Sequence, residues 1–195
     1  VSCNIESTNL SGKLRLSSVS GDIHDRNSSG RALFKTVSGN LTSSSTANEV
    51  SANSVSGDIE LKLAKVDELI VSTVSGEFES QLSLNENGLV KMSSVSGDLM
   101  VDFKNEVQAS FNLKTNAGGN IVNGLTSAKA RRAKYGPSSK LSFETGNASG
   151  SVRASTVRCP LYTPDPSHDQ TDVYLAGSVM RKTKENRQMK TLSQT

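Results

Sequence analysis

The 195-residue chain has no tryptophan, and aromatic residues make up only 4% of it. That excludes a core built on large rings, and it excludes the aromatic platforms on which single-stranded nucleic-acid bases stack. Only two cysteines and four prolines are present, too few cysteines for a disulfide scaffold. With His24 and His168 as the only other soft ligands, no metal-ligand spacing exists. No apolar run approaches the roughly 18 residues of a helical membrane span. The chain opens at Val1, which is compatible with removal of an export signal.

Serine and threonine fill the space left by apolar residues, which are only 34% of the chain; we count 33 Ser and 14 Thr. A chain this polar is either disordered or places its few apolar residues very regularly. The net charge of +3 hides an asymmetry. Residues 1–124 carry 10 Lys/Arg and 14 Asp/Glu, and residues 125–195 carry 12 and 5. The basic excess sits at Lys129–Lys140 and Arg181–Lys190. Contact of a basic tail with nucleic acid or anionic lipid is one reading. Without interleaved aromatics the expectation is a solvated loop and tail, with no nucleic-acid partner.

Repetition decides for order. Val19-Ser20-Gly21-Asp22-Ile23 recurs as Val37–Leu41, Val55–Ile59, Val74–Phe78 and Val95–Leu99, with glycines 18, 18, 19 and 21 residues apart. Ala117–Ile121 reads as a continuation, Ala148–Val152 as a degenerate copy, and Cys3 and Cys159 as occupants of the glycine slot. Gly12, Gly21, Gly30 and Gly39 are nine apart, so each unit is two strand-plus-bend segments. Within them apolar residues alternate, as in Ile59, Leu61, Leu63 and in Leu99, Val101, Phe103, a period of two that marks strands.

A period near 20 with two strands per unit predicts an all-β, single-domain parallel β-solenoid of about 18–22 residues per coil. A right-handed β-helix is favoured by the handedness of parallel crossovers. The left-handed hexapeptide type needs an apolar residue every six, yet Asp25 stands six after Val19. A compact sandwich would not explain near-identical pentapeptides at constant spacing. The solenoid is assigned to residues 1–162. Residues 163–195 read as a polar, basic, mostly irregular and flexible tail in which Val173–Met180 alone has the pattern of a strand or short helix. Lys129–Pro137 reads as a loop bulging from one coil, before a strand at Lys140–Glu144. The N-terminal end reads as uncapped, an expectation of preceding residues or of pairing with another chain.

The Ser/Thr-Val-Ser-Gly-Asp-Ile units resemble a bacterial β-strand-repeat family of unknown function that is labelled as adhesin. Phe111–Thr115, Tyr135-Gly136-Pro137 and Leu141–Gly150 are similar to the way that family closes its domain. The resemblance covers about residues 1–162. It implies a parallel β-solenoid, export to the periplasm, cell envelope or cell surface, and no catalytic activity, and it carries no catalytic, cofactor or metal residues to transfer. The cysteines in glycine slots and the chain after Leu161 depart from its pattern.

Three residue sets are candidates for function. First, Ser18, Ser20, Thr36, Ser38, Ser54, Ser56, Thr73, Ser75, Ser94 and Ser96 are expected to face outward as two hydroxyl rows around an inward Val in every coil. Such a ladder could bind ice, a polysaccharide or another solenoid; the alternative is that these hydroxyls serve tight corners through bonds to backbone. Second, Asp22, Asn40, Asp58, Glu77, Asp98 and Asn120 form an acidic ladder, but two neutral Asn interrupt it and point to turns rather than Ca²⁺. Third, an enzyme of the polysaccharide-cleaving β-helix kind would need clustered acids in a groove, whereas the acids here are one per coil. A serine hydrolase has no nucleophile elbow to support it. With Cys3 and Cys159 about eight coils apart, some 35–40 Å, no intramolecular disulfide is expected. The expected function is therefore a non-catalytic, exported, adhesin-like or scaffold solenoid acting through its strand faces. Its partners would be a cell-surface or extracellular polymer, or further copies joined at the solenoid ends, with no cofactor and no transmembrane segment. An ice- or polysaccharide-binding repeat protein is the alternative.

Overall fold

The computed structural model describes residues 3–117 and 120–157, and the backbone of 172–177. They form strands β1 (Ile5–Thr8), β2 (Ser11–Ser18), β3 (Ile23–Arg26), β4 (Ser29–Ser38), β5 (Leu41–Ser45), β6 (Glu49–Ser56), β7 (Ile59–Ser75) and β8 (Phe78–Ser96). The remainder are β9 (Leu99–Phe103), β10 (Ala109–Thr115), β11 (Asn120–Asn123), β12 (Arg131–Arg132), β13 (Ser139–Glu144), β14 (Gly150–Thr156) and β15 (Asp172–Gly177). There is no helix among the described residues. The architecture is a parallel β-solenoid.

The strands stack in two ladders joined at the corners. In the first, Ile5 pairs with Ile23, Ile23 with Leu41, Leu41 with Ile59, Ile59 with Phe78, and Phe78 with Leu99. These steps are 18, 18, 18, 19 and 21 residues. In the second, Leu14, Ala32, Val50, Leu69 and Val90 are successive partners. Register thus equals the repeat spacing, because a one-residue slip would turn every buried side chain to solvent. The core is thin and runs through the stack: Ile23, Leu41, Ile59, Phe78 and Leu99 from one ladder face Ala32, Phe34, Val50, Ala52, Val71, Val90 and Met92 from the other, all essentially inaccessible. Phe34 pairs with Ala52, so a large side chain sits beside a small one and the coil spacing is kept.

Among the described residues one buried carboxyl group interrupts this core. Asp25 is 1% exposed and stacks between Ser7 and Ser43. Its carboxylate accepts hydrogen bonds from the hydroxyls of Ser7 (2.6 Å), Ser28 (2.5 Å) and Ser43 (3.0 Å). Three hydroxyl donors satisfy the carboxylate in place of water.

The glycine slot is sterically required. A Cβ at Gly57 would lie 2.4 Å from the carbonyl oxygen of Gly39 in the coil before, and its φ is +134°. A side chain in this column strikes the preceding coil. Cys3 stands at the head of this column among the described residues, directly before Gly21.

The C-terminal third departs from sequential stacking. β14 lies between β8 and β10: Val152 pairs with both Val90 and Phe111. β15 likewise lies between β9 and β11, with Val173 opposite Leu99 and Ile121. The chain therefore leaves an open layer after β9, builds β10 and β11 beyond it, turns back through β12 and β13, and fills the layer last. β13 runs antiparallel to β10, and β12 antiparallel to β13.

Several sequence expectations change accordingly. Ala148–Val152 is not a copy of the pentapeptide: Gly150 begins a strand of the second ladder, opposite Ala109. Ala117–Ile121 does not stack directly on Val95–Leu99, since β15 intervenes. Lys129–Pro137 is not a loop alone; it includes β12, which forms a hairpin with β13. Within the segment read as a tail, the stretch singled out at Val173–Met180 supplies a strand of the stack, Asp172–Gly177, and the rest of 163–195 lies outside the described residues. Cys159 also lies outside them. Thr156, three residues earlier, is five strand spacings from Ser18, roughly 24 Å rather than eight coils, because the chain folds back. Cys3 itself is free and exposed.

Candidate functional site

Each coil turns from the second ladder to the first at the repeated Ser/Thr-Val-Ser-Gly. Strand alternation continues to the first hydroxyl: Ala32, Phe34 and Thr36 all point inward. The chain then bends, and the next two residues both face solvent. The expected orientation is therefore reversed at two of three positions. Ser18, Thr36, Ser54, Thr73 and Ser94 are buried at 3–8% exposure, whereas Val19, Val37, Val55, Val74 and Val95 are 41–54% exposed. Ser20, Ser38, Ser56, Ser75 and Ser96 are exposed as expected.

The buried row is structural in its contacts. Ser18 Oγ donates to the Cys3 carbonyl (3.4 Å), Thr36 Oγ1 to Gly39 (3.2 Å), Ser54 Oγ to Gly57 (3.4 Å) and Thr73 Oγ1 to Ser75 (3.3 Å). Each hydroxyl donates to a backbone carbonyl of the corner. Ser94 Oγ, although buried, has no hydrogen-bond partner among the described residues. The row continues through Thr156, Thr115 and Ser139, which pair in register and are also buried. These three were missed from the sequence. Thr156-Val157 repeats Thr36-Val37 and was the available signal; Thr115 and Ser139 had none.

The outer edge of the corner faces solvent. Because Ser18, Thr36, Ser54, Thr73, Ser94 and Thr156 are register partners, the valines that follow them rise at about 4.8 Å per coil. They form a continuous apolar ridge, extended by Val157 at 45% exposure. The exposed serines run beside it.

The acidic ladder is occupied by backbone. The Asn40 amide donates to Asp22 Oδ1 (2.8 Å), that of Asp58 to Asn40 Oδ1 (3.0 Å) and that of Glu77 to Asp58 Oδ1 (2.8 Å). Asn4 extends the row by accepting from Asp22 (3.0 Å). Only one side-chain oxygen is needed at each rung, which explains why Asp and Asn interchange. Among the described residues no three His, Cys, Asp or Glu side chains come together as a metal site.

A surface depression of about 470 Å³ lies on the outer face of β2, β4, β6 and β7, lined by Lys13, Arg15, Arg31, Glu49, Glu68 and Ile70 among others. Glu49 is in an ion pair with Arg31.

A family model described as Toastrack DUF4097 matches residues 6–157. No curated protein and no solved structure matches the chain.

Proposed function

The chain belongs to the Toastrack DUF4097 family, and we propose that it is a non-catalytic, adhesin-like or scaffold module of the bacterial cell envelope, exported and acting through its outer faces. One observation carries this reading: the exposed ridge of Val19, Val37, Val55, Val74, Val95 and Val157. A line of β-branched side chains left in water by every coil is the kind of continuous apolar surface that marks an interaction site. Its linear repeat suits a linear, repeating partner such as a surface polysaccharide. The non-catalytic part is supported by Asp22 and Asp58, whose carboxyl oxygens accept from backbone amides along the corner.

A second reading, binding of ice or polysaccharide through a hydroxyl ladder, is supported by the exposed row alone, Ser20, Ser38, Ser56, Ser75 and Ser96. Ser18, Thr36, Ser54, Thr73 and Ser94 are buried and out of a ligand's reach.

Binding to a glycan array and to isolated cell-wall polysaccharide tests both. Retention that falls at least tenfold in a Val37→Ser, Val55→Ser, Val74→Ser triple variant supports the ridge. Unchanged retention in that variant, or no retention of the wild type, overturns it. Thermal hysteresis of the wild type would favour the second reading, and release of reducing ends from the polysaccharide would overturn the non-catalytic one.

A further inference from the structure

We propose that the outer face of β8, β14, β10, β13 and β12 docks on the surface of an anionic lipid bilayer. Residues directly opposite each other on neighbouring strands share a face. Lys91 is opposite Arg153, Lys114 opposite Lys140, and Lys140 opposite Arg131. All five are exposed. Ser93, Ser155, Asn112 and Ser142 lie among them on the same face by register. Among the described residues the ion pairs are Arg31–Glu49 and Lys62–Glu60, so none of the five cations is in one. The face holds one acid, Glu144, at the far end of β13 opposite Ser110.

Like charges set directly opposite across strands destabilise a sheet. The same ladder pairs Arg31 with Glu49 at its other end, so the fold itself does not require like charges there. From residue 107 to residue 143 there are six Lys/Arg and no Asp or Glu. An accumulation of this sign, held on a flat sheet, is complementary to an anionic partner. The number of cations falls in the range of polybasic segments that recognise anionic headgroups.

The shape of the surface selects the bilayer. The cations spread over five strands, roughly 19 Å, and over two side-chain columns, a two-dimensional array that matches a plane of headgroups. A single polymer chain would engage one column. A single exposed aromatic, Tyr135, adjoins this face, too few for the successive stacking of bases. The hairpin that carries Arg131 is closed by the Ala133 amide donating to the Ser138 carbonyl (2.9 Å). Its turn bears Tyr135, 88% exposed, with Lys134 Nζ 5.3 Å from the ring centroid. An exposed phenol beside an ammonium suits the headgroup layer, where amphipathic rings settle. This surface is separate from the valine ridge, so its failure would leave the proposed function untouched.

Flotation of the full chain with vesicles tests the proposal. The expected result is binding to mixed phosphatidylcholine–phosphatidylglycerol vesicles at low salt, release at high salt, and no binding to phosphatidylcholine alone. A Lys114→Gln, Lys140→Gln, Arg153→Gln variant should bind on the order of a hundredfold more weakly, since each cation near the surface contributes roughly fivefold. It keeps the basic residues of Arg181–Lys190, so the loss is assigned to this face. Its melting temperature should equal or exceed that of the wild type, because an opposed like-charge pair is relieved. Tyr135→Ser should weaken binding several-fold with little dependence on salt. Equal binding to neutral vesicles, undiminished binding of the triple variant, or tighter binding to heparin or single-stranded DNA than to vesicles would each overturn the bilayer assignment.

Discussion

Thr36 and Val37 are neighbours in sequence and opposite in exposure: the threonine is 4% exposed and the valine 45%. The polar side chain is inside and the apolar one outside, in coil after coil. The alternation of Phe34 and Thr36 carries the hydroxyl into the core, and the bend then turns Val37 out.

The valine ridge therefore adds little to folding. Val55→Ser should change stability by no more than about 0.5 kcal/mol. Val71→Ala, which deletes methyl groups from a side chain 1% exposed, should cost about 2 kcal/mol. Urea denaturation of both variants checks this. A large loss from Val55→Ser would mean that the valine, and not the hydroxyl before it, faces the core.

The glycine column should be equally selective. Gly57→Ala adds a Cβ 2.4 Å from the Gly39 carbonyl oxygen at a φ of +134°, and should cost about 2–4 kcal/mol. Cys3→Ser, at the head of the same column, should be neutral within about 0.5 kcal/mol. Thermal melts of the two variants compare them directly.

A pH effect is expected at the bend between the ladders. Asp67 accepts hydrogen bonds from Asn85 Nδ2 (2.7 Å) and Asn48 Nδ2 (3.0 Å), and the Asn85 bond, followed by the Asn48 bond, lowers its pKa below the ordinary carboxylate value. A depressed folded pKa gives stability that is present above the unfolded value, near about 4, and lost as pH falls through the folded one. Carboxyl NMR titration should place the Asp67 midpoint below that of an ordinary aspartate. Asn85→Ala should move it upward; an unmoved midpoint would refute the assignment.

Removing residues 158–195 deletes β15, which pairs with both β9 and β11. Hydrogen exchange in such a truncated chain should lose protection at Leu99–Phe103 and Asn120–Asn123. Protection in β3 to β7 should be retained, because solenoid coils are stabilised chiefly by their neighbours. Retained protection at β9 would show that β15 does not hold that layer.

The repeat made the coil, its 18- to 21-residue steps and the glycine column legible, because period-two alternation and steric exclusion are local and recur in every unit. Cys3 in the slot before Gly21 was read from the same repeat, and the strand read at Lys140–Glu144 from alternation is observed at Ser139–Glu144. The candidate site was only half legible. The pentapeptide shows that hydroxyls and valine share a corner, but which of them faces water depends on where the bend falls relative to the pleat. Extending the alternation forward from Ala32 and Phe34 would have placed Thr36 inside.

What the sequence by itself determined is the stacked unit: a strand, a bend, a second strand and a corner that only glycine can pass. What tertiary structure alone decided is the order of the layers and the face each corner shows. β14 and β15 are late in the chain yet lie inside the stack, because open ladder edges left by β8, β9, β10 and β11 carry unpaired backbone groups that any strand of matching register can fill. Hydrogen bonding recognises geometry and not chain order. The same return of the chain sets Lys114 against Lys140 and Arg153 against Lys91, and so assembles a basic face from residues that are far apart in sequence.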